Sequence, residues 1–202
     1  MTRDKTAARG LQLLMVAEGI QLAVAAASAL GLLQMLMLFS GMLGMASIAM
    51  NLAGLGSLRG LDPRYAGAFR LAIAEVTMAF LGGIVSTVLM TMERTGLVPV
   101  LMALLSVASL VFQFLIVRSC CQATGSLLME RGADALADQG AQAALLYGIV
   151  AVVSGVCQGL SLTAIPDSVY RFLAILSNVL LAAAAGLYAR FLYQSTKTLA
   201  AG

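Results

Sequence analysis

Glu18 and Glu75 are the residues from which any chemistry in this chain would have to start. Glu18 lies in "LQLLMVAEGIQLAVAAASAL", residues 11–30, and Glu75 in "LAIAEVTMAF", residues 71–80. Each is a single carboxylate inside a run that a bilayer would otherwise accept. Placing an ionised side chain at the centre of a membrane helix costs about 3 kcal/mol even on lenient insertion scales, which is more than packing alone justifies. Three arrangements would compensate. The two carboxyls can face each other and share a proton; they can pair with an arginine from a helix end, Arg118 or Arg190; or they can line a hydrated path and bind a proton or cation. Both lie in the inner half of their runs, so snorkelling to the nearby interface is a fourth outcome.

The carboxylates belong to stripes of small and polar residues. Glu18 is followed by Gln21, Ala25 and Ser28, Glu75 by Gly82 and Ser86, and a third set comprises Tyr147, Ser154, Gln158 and Ser161. Weaker stripes hold Ser40, Gly44, Ser47 and Asn51, and Ser106, Ser109 and Gln113. Steps of three, four and seven place such residues on one helix face. In lipid, small residues let backbones approach and polar ones bond across, so these faces should turn inward. Interhelical packing is the simpler use of the serines and glutamines, and lining a path is the other.

The elements that must position these residues follow from composition. The chain has 202 residues, is 61% hydrophobic and 10% charged, and its mean hydropathy is +0.97. Soluble domains are about 45–50% apolar and about 25% charged, so the expectation is an all-α, polytopic integral membrane protein with a single transmembrane domain over 1–202. A span needs about 20 apolar residues. Apolar runs near 11–32, 35–57, 67–91, 97–120, 142–164 and 169–193 predict six transmembrane helices. The first two runs are nearly continuous, and Gly31 and Gln34 are the expected turn. The basic start "MTRDKTAARG" precedes spans, so Leu11 onward reads as an uncleaved first helix.

Charge sorts by side. Arg3, Lys5, Arg9, Arg59, Arg64, Arg70, Arg118, Arg131, Arg190 and Lys197 fall on one side, and Arg94 and Arg171 on the other. The positive-inside rule then predicts a multi-pass protein of the cell membrane, an inner membrane, with both termini cytoplasmic. The basic residues serve topology and headgroup contact, and no nucleic-acid partner is expected. There is no histidine, which removes His-based triads and most zinc and haem ligation. Cys120, Cys121 and Cys157 are few and apolar in setting, so they read as packing residues. Neither a catalytic residue, a metal nor a cofactor is expected.

The chain also resembles itself. "RSCCQATGSL", 118–127, aligns with "RFLYQSTKTL", 190–199, matching Arg118 to Arg190, Gln122 to Gln194, Thr124 to Thr196 and Leu127 to Leu199. "VAEGIQLA" from Val16 and "IAEVTMAF" from Ile73 set Glu18 and Glu75 at equivalent depths, with Tyr147 near the third equivalent position. Matches on one side of the membrane favour three parallel helical hairpins over two inverted triplets. The inner connections, 58–67 and 122–141, are the surfaces offered to a cytosolic or membrane protein partner. In the second, Leu128, Ala135 and Leu136 among Glu130, Asp134 and Asp138 fit a short interfacial helix or, equally, a solvated linker. Association into a homo-oligomer is left open.

Two functions fit these expectations. One is a small transport protein, a permease or channel-like unit, with Glu18 and Glu75 as ion or proton sites and with Gln21, Ser28, Asn51, Ser86, Gln113, Tyr147, Ser154 and Gln158 lining the path or packing helices. The other is a non-catalytic subunit of a larger membrane complex, with the stripes serving as helix glue.

Overall fold

A computed structural model describes residues 3–29, 37–93, 96–160 and 166–201. It is all-α: α1 Arg3–Ala29, α2 Met37–Leu58, α3 Pro63–Thr91, α4 Leu97–Met129, α5 Asp134–Leu160 and α6 Asp167–Ala200. The expected turn at Gly31 and Gln34 lies outside the described residues. Four helices are long and apolar enough to cross a membrane, over Pro63–Thr91, Leu97–Met129, Asp134–Leu160 and Ile175–Ala200, while Met42–Leu58 is a shorter apolar helix.

Each helix packs against its neighbour in the chain, and α1 closes the circle against α6. The result is a ring of helices with the α2–α3 junction the least extensive. Short connections enforce this order. "LDPRY" turns the chain between α2 and α3: the Asp62 carboxylate accepts from the Arg64 backbone N–H at 2.7 Å, and Pro63 occupies the first helical position. That is an N-terminal cap with proline where no donor is needed. Between α4 and α5, Gly132 adopts φ +70° and the Ala133 N–H reaches back to the Leu128 carbonyl at 3.0 Å. A left-handed glycine closing a helix in this way lets the chain reverse at once.

These turns correct the reading of the inner connections. The links are Arg59–Asp62 and Glu130–Ala133, and no separate interfacial helix forms over 126–141. Residues 126–129 end α4 and 134–141 begin α5. Leu128 and Ala137 are buried in the main core, so packing holds the segment inside the bundle, where an interfacial helix would have lain on its surface.

The core is concentrated at the end of the ring that carries both termini. Leu11, Leu55, Leu58, Tyr65, Cys120, Leu128, Phe191 and Leu192 are all fully buried there. The Tyr65 and Thr124 hydroxyls share a buried hydrogen bond of 2.7 Å, the Arg64 guanidinium donates to the Gln122 carbonyl at 3.2 Å, and Arg131 pairs with Asp4 at 2.5 Å. Phe80, Leu104, Val152 and Phe172, nearer the other end, are exposed, as apolar side chains facing lipid would be.

Close approach between helices depends on glycine. A β-carbon on Gly140 would lie 2.6 Å from Phe191 Cζ, and one on Gly148 2.7 Å from Phe114 Cε2. Phe191 is buried and has no room to withdraw. Gly140→Ala should therefore destabilise the α5–α6 contact by about 1–3 kcal/mol, measured as a lowered unfolding midpoint in detergent, while Gly67→Ala, which meets nothing within 4 Å, should not.

Candidate functional site

Glu18 projects from α1 toward the centre of the ring. It is buried, 6% exposed, and its Oε2 finds no hydrogen-bond partner among the described residues. Its electrostatic neighbours come from four other helices: Glu75 on α3, Cys120 and Cys121 on α4, Tyr147 on α5 and Tyr188 on α6. Only a group near the ring's axis can reach all of these. Ser47 of α2 donates to the Ala17 carbonyl at 3.0 Å, which brings α2 against the turn of α1 that carries Glu18.

Glu75 is held differently. The Ser109 hydroxyl donates to its Oε1 at 2.5 Å and the Gln113 amide donates to the same oxygen at 3.2 Å. Tyr147 in turn donates to the Gln113 carbonyl oxygen at 3.5 Å. A polar chain thus runs from α5 through α4 to α3 and ends on a carboxyl beside Glu18. Such a chain can carry a proton or orient oxygen ligands toward a cation, because every member is a hydroxyl, amide or carboxyl.

Neither glutamate forms an ion pair with an arginine among the described residues. The ion pairs among the described residues are Arg3–Glu130 and Arg131–Asp4, and Arg118 and Arg190 are exposed on the outer side of α4 and α6. Of the other sequence-derived positions, Ser86 and Ser154 are buried, and Ser154 accepts from Ser177 at 2.7 Å. Gln21, Asn51 and Gln158 are half-buried. The Ser28 side chain lies outside the described residues.

Tyr188 and Ser109 were not among the residues singled out as sites. Tyr188 and Cys120 are electrostatic neighbours and both are buried. The available signal was a hydroxyl in the otherwise small and apolar run "LAAAAGLYARFL", and, for Ser109, a position one helical turn before Gln113. No family model, curated protein or solved structure matches this chain.

The short Ser109 bond should be coupled to Glu75. Ser109→Ala alone should cost about 1–3 kcal/mol of stability in detergent, the range for hydrogen bonds to carboxyl groups. In Glu75→Leu protein the same substitution should cost little, and equal costs in both backgrounds would show that the bond does not support the fold.

Proposed function

We propose that the protein is a small transport protein of the cell membrane, a permease or channel-like unit in which Glu18 and Glu75 bind a proton or cation on its way through the ring. One observation carries the reading: among the described residues, a buried carboxyl facing the inside of the ring has an oxygen without a hydrogen-bond partner, a second carboxyl as electrostatic neighbour, and no arginine paired with it. Two carboxyls within electrostatic range of each other in an apolar setting are tolerated when a proton or cation offsets their charge. The Tyr147–Gln113–Glu75 chain supplies the polar continuation.

In this reading all six helices cross an inner membrane as three hairpins, with both termini in the cytoplasm. The circular order of neighbours supports it. So does the depth of the arginines. Thr91 to Arg70 and Leu97 to Arg118 are each about 31 Å of helix, and Asp167 to Arg190 is about 34 Å, against a hydrocarbon thickness of about 30 Å. These arginines would stand level at the inner edge of the apolar layer, with the densest packing at and beyond them. The accessory-subunit reading accounts for the bonded serines, Ser47 and Ser154, but leaves Glu18 without a purpose.

Reconstitution tests the proposal. Vesicles holding the wild-type protein and an internal pH dye should take up protons, or exchange them for an external cation, under an imposed gradient. Glu18→Gln should reduce the flux to that of protein-free vesicles, and Glu75→Gln should reduce it strongly while leaving the protein folded. Wild-type flux in the Glu18→Gln protein would remove the basis for this function.

A further inference from the structure

Among the described residues, a pair of grooves on the outward-facing surface each end at an arginine. The larger, about 1230 Å³, runs between α4 and α5, where Val111, Phe114, Leu145 and Ile149 form apolar walls and Arg64 and Arg118 stand at the basic end. It exceeds the range of about 300–1,000 Å³ usual for small-molecule pockets, and its lining is mostly hydrocarbon. A smaller groove, about 670 Å³, lies between α1 and α6 and ends at Arg190. The two are related. Val16, Gly19, Ile20 and Ala23 line the second at the spacing with which Leu145, Gly148, Ile149 and Val152 line the first, and Arg190 is the residue that aligns with Arg118.

The position and charge of the larger groove select its occupant. Arg118 lies about 31 Å along α4 from Leu97, at the depth where the apolar layer ends and phosphates begin. Arg64 uses one guanidinium nitrogen on the Gln122 carbonyl, and no carboxylate among the described residues forms an ion pair with Arg64 or Arg118. Asp138 lines the same groove, leaving a net positive mouth above an apolar trough. Guanidinium groups match phosphate oxygens in geometry as well as charge, and basic pockets between membrane helices favour acidic headgroups. We infer that the α4–α5 groove is a binding site for an anionic glycerophospholipid, its acyl chains lying between the helices and its phosphate held by Arg64 and Arg118.

Native mass spectrometry of the full-length protein released from detergent tests this, with phosphatidylglycerol and phosphatidylethanolamine of identical chains as probes. Phosphatidylglycerol should be retained about tenfold to thirtyfold more tightly, the effect of two arginines near a headgroup. The Arg64→Gln, Arg118→Gln double variant should lose that preference, while Arg70→Gln, at the same depth but lining neither groove, should keep it. A phosphatidylglycerol with a photoreactive acyl chain should label α4 and α5 in the wild-type protein, a readout that does not depend on any variant folding. Equal retention of the two lipids, preference for the ethanolamine lipid through Asp138, or a second copy of the chain filling the groove would each overturn the assignment.

Discussion

A carboxyl group with an unfilled hydrogen-bond position, enclosed by helices of membrane length, is the constraint around which the structure is arranged. An ionised Glu18 without a counter-charge would cost several kcal/mol in an apolar interior, and no arginine among the described residues pairs with it. What the ring supplies instead is a second carboxyl, two tyrosine hydroxyls and two thiols drawn from α3, α4, α5 and α6. These groups can share, donate or release a proton. The remaining architecture keeps them together while leaving lipid on the outside.

That architecture divides along its length. At the basic end, large side chains such as Tyr65, Phe191 and Leu128 are fully buried, glycines at 10, 140 and 148 admit neighbouring side chains at distances that no β-carbon would allow, and the Tyr65–Thr124 bond joins α3 to α4. Toward the other end the apolar residues face outward. The polar chain on Glu75 lies between these two regimes.

Much of this was legible in the sequence, for a physical reason. Helical periodicity fixes which residues share a face, so Glu75, Gly82 and Ser86, or Ser109 and Gln113, could be grouped without a structure. Hydropathy also found the apolar segments, but it reports lipid-facing length and not where a helix stops. For that reason α4 and α6 run on to Met129 and Ala200, past the ends near 120 and 193 that hydropathy suggested. The same blindness turned 122–141 into a loop with an interfacial helix, when Gly132 reverses the chain in four residues. Partners across the ring were not legible either. Nothing in the spacing of α1 shows that Glu18 is an electrostatic neighbour of Tyr188 and Cys120, or that Arg118 and Arg190 are exposed, because those facts arise from how six helices close on one another.

The central claim is that Glu18 is a carboxyl that exchanges its proton from within the membrane. Modification by a hydrophobic carbodiimide, which reacts with protonated carboxyls in apolar surroundings, tests it directly when followed by peptide mass spectrometry of the membrane-embedded protein. The account predicts that Glu18 is modified, that modification slows as pH rises, and that Glu130, exposed and paired with Arg3, is left unmodified. A Glu18 that fails to react at any pH would contradict it.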